Sequence, residues 1–171
     1  GFDLRLVPAA LDLPLRWRRS RFVFVNSMSD LFHEDVPTHY IQQVFAVMAQ
    51  ASQHQFQVLT KRDSRMLEFT LRNRVPENVW MGVSVENAAY RSRIATLRRV
   101  PARIRFVSME PLLGPVGVLG LNGIHWVIVG GESGAGAREM KPEWVLDIRS
   151  QCARAGDPFF FKQWGGVHKA R

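Results

Sequence analysis

Cysteine is nearly absent: Cys152 is the one thiol in a chain of 171 residues, so neither an internal disulfide nor a cysteine-held metal cluster can form from this chain alone. It falls on the apolar face of a predicted helix, where a small buried hydrophobe is the expectation. No apolar run approaches the roughly 20 residues a membrane helix needs, and the opening GFDLRL has neither a basic leader nor a signal-type apolar core. The expectation is a cytoplasmic protein with no membrane partner. An initiating Met is lacking too, and a chain that starts at Gly1 is expected to be a fragment of something longer. The dinucleotide spacing G-x-G-x-x-G, the G-K-[ST] ending of a nucleotide loop and a serine nucleophile elbow are all missing, which disfavours nicotinamide, ATP and covalent hydrolase chemistry. His33, His39, His54, His125 and His168 show no metal-ligand spacing, so no self-contained zinc site is expected. Asp30, Glu34 and Asp35 are explained by helix-start acids at lower cost than by a hard cation.

What is present is a globular composition, 46% hydrophobic and 22% charged, long enough to bury a core as one domain. The formal charge of +8 favours an anionic partner, because each neutralised phosphate releases a condensed counterion. Basic clusters stand at Arg16, Arg18, Arg19 and Arg21, at Lys61, Arg62 and Arg65, and at Arg98, Arg99, Arg103 and Arg105.

Short apolar runs without in-and-out alternation read as strands of a parallel sheet covered by helices on both sides. They are Phe22 to Asn26, Gln55 to Thr60, Val79 to Ser84, Ile104 to Met109, Ile124 to Gly130 and Pro158 to Lys162. Between them lie helix-period segments: Ile41, Val44, Phe45 and Met48 behind Asp35 and Pro37; Met66, Phe69 and Thr70 behind Asp63; Tyr90, Ile94 and Leu97 behind Asn87; and Val145, Ile148 and Cys152 between Pro142 and Gly156. Pro111 to Gly123 is too rich in Gly and Pro for a long helix. The fold class is α/β, a parallel barrel or partial barrel over residues 1–171, with residues 1–21 as the tail of a preceding unit.

In any such architecture the carboxyl ends of the strands share one rim, where polar residues far apart in sequence converge. Here those residues are Asn26, Ser27, Ser29 and Asp30; Lys61 and Arg62; Ser84, Glu86 and Asn87; Glu110; Gly130, Gly131 and Glu132; and Lys162, Gln163 and Trp164. Acids and bases side by side can bind a polar ligand and move protons. Glu110 and Glu132 are the candidate acid or ligand-orienting groups, and Lys61 with Arg62 the candidate anion clamp. The glycines of GGESGAG would let a ligand approach the backbone, and Trp164 could stack on a base.

Taken in order, VFVNSMSDLFHEDVP, FQVLTKR, NVWMGVSVEN, RFVSMEPLLGP, WVIVGGESGAGAREM and PFFFKQWGG resemble the motifs of the phage-type three-Cys-motif family of phages and bacteria. The resemblance implies a radical-SAM-like barrel in which an upstream cysteine trio holds an iron–sulfur cluster that cleaves S-adenosylmethionine. This chain lacks those cysteines, so it is expected to bind no cofactor by itself and to have no radical activity. The expected partner is a nucleic acid or nucleotide. A basic nucleic-acid-binding module without catalysis is the alternative, and a barrel enzyme for a phosphorylated small molecule ranks third. Unpaired barrel edges would also allow homo-oligomers.

Overall fold

The computed structural model describes residues 4–26 and 29–167. Ser27 and His168 lie outside the described residues. Six strands, β1 (Phe22–Val25), β2 (Gln55–Thr60), β3 (Val79–Ser84), β4 (Ile104–Met109), β5 (Trp126–Gly130) and β6 (Phe159–Gln163), pair in chain order and all in parallel, forming a curled half-barrel. β1 and β6 do not pair with each other among the described residues, so the barrel is open.

Helices α1 (Leu13–Arg16), α2 (Thr38–Gln50), α3 (Asp63–Arg72), α4 (Ser92–Arg98) and α5 (Pro142–Ala155) accompany the sheet. α2, α3, α4 and α5 are the crossovers, while β4 joins β5 without a helix, as the glycines and prolines of 111–123 require. The expected caps are not all found. Pro37 and Arg62 stand at the N-cap positions of α2 and α3 with no side-chain cap bond, so Asp35 and Asp63 do not cap. Asn87 does cap, accepting from the Ala89 N–H at 2.9 Å ahead of a short 3-10 turn. α5 starts at Pro142 and stops at Gly156, whose φ of 76° is the left-handed geometry that ends helices.

The core lies between these helices and one face of the sheet. Phe56 and Val58, Val79, Met81 and Val83, Val107 and Met109, and Val127 and Val129 point into it, against Phe45, Met66, Phe69, Leu97, Ile148 and Cys152. The expectation of helices on both faces is corrected. Sequential right-handed crossovers return on the same side, and the alternate residues line an uncovered concave face. That face is aromatic: Phe22 meets Trp80 edge-on at 4.9 Å, Trp80 meets Trp126 at 5.8 Å, and Trp126 meets Phe106 at 6.4 Å and Phe160 at 6.0 Å.

Residues 4–21 are tied to the sheet by His54, which is fully buried. Its Nδ1 accepts from the Arg21 N–H at 3.1 Å, so Nε2 carries the proton and donates to the Pro14 carbonyl at 2.9 Å. The same device recurs where His125 Nδ1 accepts from the Arg105 N–H at 3.1 Å.

Gly82 and Phe106 are register partners, and the Phe106 ring occupies the space a Cβ on Gly82 would need. Gly82→Ala is therefore expected to destabilise by about 1–3 kcal/mol, the usual cost of overpacking. Shrinking the ring in Gly82→Ala/Phe106→Leu should recover part of the loss, as read by urea denaturation. A Gly82→Ala chain as stable as the parent would mean that the ring does not lie there.

Candidate functional site

Counting by twos along each strand, Gln57, Trp80, Phe106, Trp126 and Phe160 fall on the concave side, and the same alternation carries Lys61, Ser84, Glu86, Ser108, Glu110, Gly130 and Lys162 to its carboxyl-end rim. Two ion-pair groups form there.

In the first group, Lys61 Nζ stands 2.6 Å from Glu86 Oε1, and Arg93 Nη1 stands 3.0 Å from Glu86 Oε2. Arg93 also donates to the Ser84 carbonyl at 2.8 Å and lies over the Tyr90 ring, 4.3 Å from its centroid. Burial opposes ionisation of Glu86, yet the hydrogen bond and charge of Lys61, its own backbone N–H and the charge of Arg93 hold its carboxyl below the usual range. The carboxylate is 7% exposed and Lys61 is 54% exposed, so the anion is fixed while the ammonium faces solvent.

Beside it, Asp30 accepts from Thr60 Oγ1 at 2.7 Å, from the N–H groups of Phe32 at 2.9 Å and Lys61 at 3.1 Å, and from Arg62 Nη1 at 3.1 Å. Arg62 is thus paired with Asp30, while its neighbour Lys61 is paired with Glu86. The loop after β1 is held by Arg65, which donates to the carbonyls of Phe32 and His33 and, at 2.5 Å, of Val36. Asn26, at φ 58°, donates to Ser29 Oγ at 3.1 Å.

The second group spans three strands. Glu110 reaches from the end of β4 across β5 to Lys162 on β6, whose Nζ lies 2.9 Å from Oε1 and 3.0 Å from Oε2. It can do so because Gly130 has no Cβ; the Glu110 carboxyl carbon lies 3.2 Å from where one would be.

Other candidates stand apart from these groups. Glu132 turns into its own loop, where Arg138 grips it through Nη2 at 2.6 Å, Nε at 2.8 Å and the backbone N–H at 2.9 Å. Those bonds hold its carboxyl down to about 2, so it is ionised at neutral pH and has no proton to give. Over Gly131 the close approach is made by the Trp164 carbonyl, and Gly165 meets the Glu132 carbonyl. The small residues here let two loops of the same chain pass, with Ser133 bridging to Gly166 and Gln163 Nε2 donating to Ser133 Oγ at 2.9 Å. Trp164 is exposed and tilts against Phe161, 4.8 Å between ring centroids.

Arg93 and Arg138 were not among the sequence candidates, although each pairs with a rim carboxylate, Arg93 adding to Lys61 at Glu86 and Arg138 holding Glu132. Arg93 lies in the first turn of α4 and Arg138 in a glycine-rich loop, so only the fold pairs them with Glu86 and Glu132. Gln57 was missed as well. It sits between Phe24 and Trp80 in register, is 6% exposed, and its Nε2 has no hydrogen-bond partner among the described residues.

Residues 2–171 match the family model described as "Protein of unknown function (DUF5131)". The chain belongs to that family. No curated protein and no solved structure matches it. Among the described residues of this DUF5131 chain no helix is long and apolar enough to cross a membrane, and no group of three or more His, Cys, Asp or Glu could hold a metal ion. Cys152 is buried, and burial followed by the charge of Asp157 pushes its thiol up to about 11.

Because folding lowers the Glu86 pKa from its ordinary 4.5, its contribution is present above about pH 4.5 and is lost as pH falls through the folded value. Thermal scans should show stability dropping across that window. Glu86→Ala, which leaves Arg93 without its counter-charge, should cost about 3 kcal/mol at neutral pH and flatten the acid limb. An unchanged acid limb would show that the pair contributes nothing.

Proposed function

We propose that this chain is the carboxyl-terminal part of a radical-SAM-like parallel barrel whose rim holds a nucleotide or a nucleotide unit of a nucleic acid. The observation that carries this reading is the pairing of half-exposed lysines with shielded carboxylates, Lys61 with Glu86 and Lys162 with Glu110, at the open end of an aromatic concave face. A lysine held in this way can turn to an incoming phosphate or carboxylate, while the fixed carboxylate accepts from an amine or hydroxyl. The aromatic rings offer stacking faces to a planar base. The unpartnered Gln57 amide, whose burial without a hydrogen bond costs about 1–3 kcal/mol, offers a donor beside them.

The residues of this chain do not fit an iron–sulfur cluster, since its only cysteine is buried on α5; a cluster belongs to this reading only through cysteines elsewhere in a longer protein. S-adenosylmethionine is a better match. Its amino-acid head carries both charges, and Lys61 with Glu86 or Lys162 with Glu110 presents both complements side by side. When bound with a cluster it would supply a radical. What this chain contributes is orientation of the ligand and exclusion of water by the aromatic floor.

A second reading, a nucleic-acid-holding module without chemistry, is favoured by the state of the rim acids. Asp30, Glu86, Glu110 and Glu132 each face a cation, and Glu132 is held ionised at neutral pH.

Calorimetric titration separates the readings at the level of binding. Adenosine monophosphate and S-adenosylmethionine should each bind the parent chain, and Lys162→Met should weaken both about tenfold or more. No heat from either ligand at millimolar concentration would sink the rim reading. For the chemistry, anaerobic reconstitution of a chain extended upstream through a cysteine trio should take up iron and sulfide. Failure to do so with the cysteines intact would leave only the module.

A further inference from the structure

The formal charge of +8 is not spread evenly over the half-barrel. At the carboxyl ends of the strands, acids and bases offset one another, as Arg62 and Asp30, Lys61 and Glu86, Lys162 and Glu110, and Arg138 and Glu132 do. The excess lies at the other end, where strands begin and helices finish. Arg18 and Arg19 precede β1, Arg74 lies in the connection from α3 to β3, and Arg103 stands just ahead of β4, all exposed. Among the described residues the carboxylates of that end are Asp12, Glu77 and Asp157, with Glu68 on α3 pairing to Arg72 at 2.9 Å. Glu77 reaches Arg103 only at 3.6 Å, with both side chains well exposed.

Helix dipoles account for part of this excess, because Arg72, Arg98 and Arg154 occupy last turns where cations are stabilised. That explanation does not reach Arg18, Arg19, Arg74 or Arg103, which stand in connections. Among the described residues Arg18, Arg19 and Arg74 make no ion pair. Arg72, Arg74 and Arg103 also converge on one cleft of ≈ 800 Å³ at this end, beside the amides of Gln42 and Asn73. Arginine stands at both ends, Arg62, Arg93 and Arg138 among those at the rim, whereas the described lysines gather at one end. Lys61, Lys141, Lys162 and Lys169 are the only lysines; Lys61 and Lys162 are at strand carboxyl ends and Lys141 at the start of α5. The amino end carries arginine, whose planar fork matches phosphate oxygens in pairs.

We propose that the amino-end face is a second binding surface, separate from the rim, that holds a nucleic-acid backbone through arginine–phosphate contacts. From the start of β1 to that of β4 is three strand spacings, about 14 Å. At one phosphate per about 3.4 Å of each strand, that span meets about four phosphates along one strand of a duplex. Such contacts position a nucleic acid without reading its sequence. The surface shares with the functional proposal only the class of partner, and the two fail separately, since Lys162→Met reports on the rim and the arginine variants below report on this face.

The test is fluorescence anisotropy of a labelled DNA duplex against salt concentration. The parent chain should bind at low salt, with log K falling against log salt at a slope of about −3 to −4 for four phosphates. Arg18→Glu/Arg19→Glu and Arg74→Glu/Arg103→Glu should each weaken binding about tenfold or more and flatten the slope by about 2. The corresponding Arg→Gln pairs, which carry less risk to folding, should give smaller losses in the same order, with circular dichroism confirming the fold. Lys141→Glu/Arg149→Glu on α5 makes the same change of charge elsewhere and should stay within about twofold of the parent. The proposal is overturned by arginine variants that bind like the parent, by a control that loses as much as they do, or by a parent chain that binds phosphatidylserine vesicles and not the duplex.

Discussion

Because all six strands run parallel and pair in chain order, every connection must cross from the carboxyl end of one strand to the amino end of the next, and right-handed crossovers return on one side. The two faces of the sheet therefore differ. One carries the helices and the aliphatic core, and the other, concave, is left to aromatic side chains. The two ends differ as well, since each collects side chains from every strand at once. Sequentially remote residues such as Glu110 and Lys162 can meet across β5 only because the strands between them are in register and Gly130 leaves the gap.

Glycine does a specific job at three points of this arrangement, and in each the missing Cβ is replaced by part of the same chain. At Gly82 the space is taken by the Phe106 ring, at Gly130 by the Glu110 carboxyl, and at Gly131 by the Trp164 carbonyl. Together these pull β3, β4, β5 and the β6 loop into contact on the concave side. The GGESGAG segment thus joins loops of its own chain before it offers anything to a ligand.

The sheet was legible because parallel strands buried on the helix side read as compact apolar runs. β2, β3 and β4 have the expected bounds, and β5 starts two residues later than expected because Ile124 and His125 belong to the turn. The rim was legible too, being a consequence of parallel order. The uncovered face was not, since Phe22, Phe24, Trp80, Trp126 and Phe160 are as apolar as core residues and erase the alternation that an exposed face usually prints. Their size at every second position was the available signal. The helix caps misled because Asp35 and Asp63 fit the residue preference for a cap, whereas at Arg65 and Asp30 the loops are held by tertiary hydrogen bonds that local sequence does not encode.

An exposed aromatic face and a buried, unpaired amide are both unfavourable, and they coincide. Phe22 is 53% exposed and Phe24 43%, a short distance along the sheet from a Gln57 donor that water does not reach. Replacing Gln57 by leucine would remove the unpaired donor and leave a more uniform apolar floor, so the chain alone has no need of the amide. An acceptor from outside would satisfy the amide and complete the concave face. A planar ring with a carbonyl or nitrogen at its edge would stack on the aromatic side chains and accept from Gln57 in one placement, and its charged groups would then lie toward Lys61 and Lys162, because the alternation that puts Gln57 on the concave side carries them to the rim of that same side.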